Sequence, residues 1–192
     1  MNVRRTIRIV VPVVLLVSVV GGWALSRSSD DVDANLTRPG VTQTPGIGTN
    51  PKLTGKKLEF REVVDVATGV AMTIRPTGSP MVVNFWFSTC EPCKREMPEL
   101  SAAAQKFDGR VQFVGINPND SRESARTFID KYGVKFSVYL DNEGDMVTAV
   151  GLTTFPATYF LDGDGNIMAS KYGELKPGEI ETILHDSLGV DA

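Results

Sequence analysis

Few residues in this chain are of the kinds that most chemistries require. Among 192 residues there are two cysteines and one histidine. A structural zinc site takes four Cys or His ligands at set spacings, and only Cys90, Cys93 and His185 could contribute. No metal site is therefore expected, and no other cofactor. A disulfide-framework protein would need several cysteines. A Cys–His hydrolase would have to use His185 as its base, and nothing in the sequence around it supports that. The folded part carries no basic stripe and the formal net charge is -3, so a nucleic-acid partner is not expected. Internal repeats and a long acidic tail are absent too.

The N-terminus does hold a long apolar run. Residues 9–25 read IVVPVVLLVSVVGGWAL, with Arg4, Arg5 and Arg8 before them and Arg27, Asp30, Asp31 and Asp33 after. A spanning helix needs about 17–25 apolar residues, and the leading arginines place the N-terminus in the cytoplasm and the rest outside. Residues 1–27 are read as a membrane anchor. A cleaved signal peptide, with 9–20 as its apolar region and Ala24-Leu25-Ser26 as its site, is the alternative. Either segment would export the remainder of the chain. Residues 28–56, rich in Ser, Asp, Thr, Pro and Gly, read as a flexible linker, and 57–192 as one domain.

Within that domain, 58–66 and 70–74 read as strands of a hairpin around Thr68-Gly69. Residues 81–87, MVVNFWF, read as a strand covered on both faces. From Cys93 the pattern turns helical, with Leu100, Ala103, Ala104 and Phe107 on one face and Pro98 inside, where a kink is expected. A strand at 111–116 comes next. A helix then opens on a capping box of Asp120 and Glu123. Strands at 136–140, 157–161 and 167–171, a short helix at 145–150 and a last helix begun by Pro177 complete an α/β fold.

The two cysteines stand in Cys90-Glu91-Pro92-Cys93, where the buried strand gives way to a helix. A thiolate is the nucleophile in disulfide exchange. At a helix N-terminus the unpaired N–H groups and the dipole favour that negative charge. Cys93 lies one turn on, close enough to form a disulfide with Cys90. Cys90 is expected to attack and Cys93 to resolve, with Pro92 stiffening the first turn. As a structural bridge the pair would close too small a loop to stabilise much.

The stretch VVNFWFSTCEPCKREMPEL resembles the active-site segment of thioredoxin-fold proteins, and most of all the membrane-anchored ResA, TlpA and CcmG group of cytochrome c maturation. Phe155-Pro156-Ala157-Thr158, followed by a strand and DGDGN, resembles that group's cis-proline segment. The resemblance spans roughly 57–188. It implies a thioredoxin fold with an N-terminal β-hairpin extension, and a cis Pro156 opposite the cysteines. It also implies that Glu96 is a proton donor or acceptor for the thiols. From the residues alone Glu96 could equally be a first-turn acid set against the dipole. Asn84 stands where ordinary thioredoxin has a buried carboxylate, and Thr89 where the group has tryptophan.

Glu91 and Glu96 place negative charge near Cys90, which favours a reductant over an oxidant. The resemblance then implies a monomer in the bacterial cell envelope. It would act on disulfide-containing exported proteins such as apocytochrome c, with electrons from a membrane thiol donor. The alternatives are a copper-delivering module of the same fold, a thiol oxidant and a peroxidase.

Overall fold

The computed structural model describes residues 49–191. The expected anchor and most of the expected linker lie outside them. The last residues of that linker, from Asn50, lie on the folded body. Gly55 N donates to Ile167 O at 2.8 Å, Ile167 N to Lys56 O at 2.8 Å, and Leu58 N to Gly165 O at 2.9 Å.

β1 (Glu62–Asp65) and β2 (Ala71–Thr73) form the expected hairpin. Both are shorter than the sequence pattern suggests. Residues 55–58 bond to 165–167 at one edge of the sheet, whereas β1 and β2 form the other. The chain must cross between the edges first, and on the way Leu58 and Phe60 join an apolar cluster.

β3 (Met81–Phe85) leads to α1 (Glu91–Lys106), β4 (Gln112–Asn117), α2 (Arg122–Tyr132) and β5 (Ser137–Leu140). Then come α3 (Asp145–Val150), β6 (Ala157–Leu161), β7 (Ile167–Tyr172) and α4 (Glu179–Leu188). The sheet order is β2-β1-β5-β4-β3-β6-β7. β3, β4 and β5 are parallel and the other pairings antiparallel.

Every residue of β3 is buried, because side chains alternate between two covered faces. Val82 packs with α1, α2 and α4 through Leu100, Phe128 and Ile180. Met81, Val83 and Phe85 pack on the other face with Met146 and Val150 of α3. α1 runs as one helix through Pro98, which is exposed.

Two helix starts differ from expectation. Ser121, not Asp120, caps α2, its hydroxyl accepting Ser124 N at 3.2 Å. α4 begins at Glu179 rather than at Pro177. Gly178 intervenes with φ of 78°, in the left-handed region that glycine adopts without strain, so Pro177 lies outside the helix.

Candidate active site

β3 ends at Phe85, and Trp86 continues into the core. Its ring stacks on Phe128 with centroids 4.3 Å apart. It also lies against Gly115 of β4, where a Cβ would lie 2.8 Å from Trp86 Nε1. Only glycine leaves room for the indole there.

The chain next turns toward the cysteines, with Cys90 N donating to Phe87 O at 3.2 Å. The turn is fastened from the side. Asp120 accepts from Ser88 N and from Ser88 Oγ, both at 2.7 Å. Asn117 holds Asp120 in turn, its Nδ2 donating to Asp120 Oδ2 at 2.6 Å and its Oδ1 accepting from Asp120 N at 3.0 Å. Sequence reading assigned Asp120 to a helix cap and missed this brace.

Cys90 is the N-cap of α1. Its Sγ accepts a hydrogen bond from Cys93 N at 3.3 Å and is joined to Cys93 in a disulfide. Cys90 is 6% exposed and Cys93 wholly buried. Pro92 occupies the first turn, where no N–H is missed. Thr89 is exposed beside the pair. Glu91 is exposed and paired with Lys94, whose hydrogen bond and charge hold its carboxyl below the usual range.

Glu96 has no solvent exposure, so it is not a solvent-facing acid of the first turn. It lies three residues beyond Cys93, on the same helix face. The helical stripe of Cys93, Met97, Leu100, Ala103 and Phe107 includes this position, and that periodicity was the available signal for its burial. Glu96 Oε1 accepts from Asn84 Nδ2 at 2.9 Å and Oε2 from Leu175 N at 2.9 Å. Burial raises its pKa to about 7, the two donors only partly opposing it. Asn84 Nδ2 also donates to Thr158 Oγ1 at 2.9 Å, and Asn84 Oδ1 is buried without a partner.

The Phe155–Pro156 bond is cis. β6 starts with Ala157 opposite Phe85, the last residue of β3, so Pro156 and the cysteine turn leave the sheet at the same end. The ring of Phe155 meets that of Phe87 edge-on at 5.3 Å. Pro156 O accepts from Gly173 N at 2.9 Å. His185 stands apart from this group, exposed in the last turn of α4 and bonded to Asp186 at 2.8 Å. Among the described residues, no three His, Cys, Asp or Glu side chains converge as a metal site.

A mixed sheet that delivers a Cys-x-x-Cys disulfide to the start of a helix defines the thioredoxin-like class, the thiol–disulfide oxidoreductases. Within it, the chain belongs to the AhpC/TSA family, whose model matches residues 62–170. Curated relatives agree with the class. Thiol-disulfide oxidoreductase ResA of Bacillus thuringiensis subsp. konkukian is 25% identical over 133 residues, 69% of either chain. The ResA of Halalkalibacterium halodurans is 23% identical over 185 residues, 96% of either chain.

Solved structures share the fold. One is a thiol:disulfide interchange protein of the thioredoxin family from Chlorobium tepidum, with TM-score 0.62 at 20% identity, covering 73% of this chain and 100% of that one. Another is a secreted Mycobacterium tuberculosis disulfide oxidoreductase, with TM-score 0.59 at 23% identity, covering 66% and 95%.

Proposed function

We propose that the chain works outside the cytoplasm as a reductant of disulfides in exported proteins, apocytochrome c among them, with Cys90 attacking and Cys93 resolving. The observation that carries the assignment of roles is the N-cap geometry. Cys90 Sγ already accepts an amide hydrogen bond from the first turn of α1, an arrangement that stabilises a thiolate. Cys93 is closed off from solvent, so it meets only a partner brought to it by Cys90.

Starting from the dithiol, the Cys90 thiolate attacks a substrate disulfide. One substrate sulfur leaves as a thiolate and the other is bound to Cys90. Cys93 then attacks Cys90 Sγ, releasing the second substrate thiolate and forming the Cys90–Cys93 disulfide. Two electrons pass to the substrate. Cys93 must lose its proton in that step. With a pKa of about 7, Glu96 is protonated and ionised in similar amounts near neutral pH, as suits a group that both takes and returns a proton. Pro156, which leaves the sheet at the same end as the cysteine turn, would wall the pair on the side away from α1.

The reductant direction draws on Glu96 rather than on Glu91. Lys94 offsets the charge of Glu91, and burial keeps much of Glu96 neutral at pH 7. The opposing charge is thus Glu96 alone, and it strengthens as pH rises. Electrons would come from a membrane thiol donor, with the apolar run 9–25 holding the domain at the membrane.

A redox-buffer titration of the cysteine pair tests this direction. A reductant gives a potential closer to about −270 mV than to the ~−120 mV of strong periplasmic oxidants, and a value at the oxidising end contradicts the proposal. Turnover of hydrogen peroxide faster than of protein disulfides would favour the peroxidase reading instead.

A further inference from the structure

Between α3 and β6 the chain passes through residues 151–156 without regular structure. Thr153 and Thr154 of this stretch are exposed. Among the described residues, the amides of Thr153 and Thr154 have no backbone partner. They are satisfied by one side chain from the far N-terminal end of the described chain.

Asn50 Oδ1 accepts from Thr153 N at 2.8 Å, Thr154 N at 3.0 Å and Thr153 Oγ1 at 3.1 Å. Asn50 Nδ2 donates to Thr154 Oγ1 at 2.8 Å and Thr154 O at 3.1 Å. The next residue adds to the clamp. Pro51 O accepts from Tyr172 Oη at 2.6 Å, and the Pro51 ring lies 3.3 Å from where a Cβ of Gly151 would be. The loop held in this way leads directly into Phe155, whose ring meets Phe87, three residues before Cys90. The loop thus borders the turn that carries Cys90, and a polypeptide disulfide offers far more surface to such a border than a small disulfide does.

We propose that Asn50 is a positioning residue. It holds residues 153–155 as one wall of the site for polypeptide disulfides and sets affinity for them, leaving the exchange chemistry unchanged. The inference rests on the reading of Cys90 as the attacking thiol. Asn50 never meets the reacting sulfurs and acts through the backbone of Thr153 and Thr154.

The test uses the full-length chain in detergent, with insulin as the polypeptide disulfide and glutathione disulfide as the small one. In Asn50→Ala, the KM for insulin should rise about fivefold or more at similar kcat, while the rate with glutathione disulfide stays within about twofold. Amide exchange at Thr153 and Thr154 should quicken in the same variant. Asn50→Asp keeps the three acceptor contacts and should fall between wild type and Asn50→Ala. If Asn50→Ala does not fold, Asn50→Asp decides by the same two rates. An unchanged KM for insulin, or equal slowing with both substrates, overturns the proposal. A wild-type chain that reduces neither substrate overturns the exchange reading itself, and the proposal with it.

Discussion

Glu96 stands in an environment far from what its type suggests. It is fully buried between Asn84 and the Leu175 amide, and its pKa stands at about 7 against an ordinary 4.5. The folded protein therefore holds this proton more tightly than the unfolded chain. The stability it contributes is whole below about pH 4.5 and is lost as pH rises through 7. The full loss is roughly 3 kcal/mol, at about 1.4 kcal/mol per tenfold of proton affinity. Glu96→Gln removes this titration. Its amide can still serve both neighbours, because a reversed Asn84 amide would offer the unpartnered Oδ1 to Gln Nε2. Denaturant unfolding at several pH values should show wild type losing stability relative to Glu96→Gln between pH 4.5 and 7. The pH–rate profile of exchange should lose its inflection near 7 in the variant. Parallel stability curves and an unchanged profile would make Glu96 a structural residue only. Asp120 makes a second prediction at this scale. Asp120→Ala strips the acceptor from two Ser88 donors, and should cost about 1–3 kcal/mol in denaturant unfolding. A cost near zero would mean the turn holds without its brace.

At the scale of elements, the junction between β3 and α1 depends on a close contact with β4. Gly115→Ala would set a methyl 2.8 Å from Trp86 Nε1 and 3.2 Å from Phe136. Overpacking of this kind should cost about 1–3 kcal/mol, visible as a lower unfolding midpoint, and an unchanged midpoint would show that the indole can shift. The elements around this junction were largely legible in the sequence. The apolar run of β3, the helical stripe after Cys93 and the Cys-x-x-Cys spacing are local patterns that specify their own structure. What was not legible is made across long separations. The Ser88–Asp120 pair is 32 residues apart, the Asn84–Thr158 pair 74, and the Glu96–Leu175 pair 79. A local reading placed Asp120 at a helix start because its neighbours fit a cap, and nothing nearby reveals that its carboxylate turns back toward Ser88. Asn50 was hidden for the same reason. Its surroundings have the composition of a linker, and its partners lie 103 and 104 residues on.

For the molecule as a whole, the disulfide, the buried acid and the proline loop gather at one end of the sheet. The clamp of Asn50 joins that end to the start of the folded body. If Cys90 attacks protein disulfides and Cys93 releases them, replacing Cys93 with Ala should block the release. The most direct measurement is therefore trapping with the full-length Cys93→Ala protein, followed by non-reducing separation and mass spectrometry of the adducts. Mixed disulfides joining Cys90 to exported proteins are expected, dispersed by reductant and absent from a Cys90→Ala, Cys93→Ala double variant. Recovery of Cys93→Ala free of protein adducts, with Cys90 a thiol or oxidised to a sulfur acid, would contradict the account.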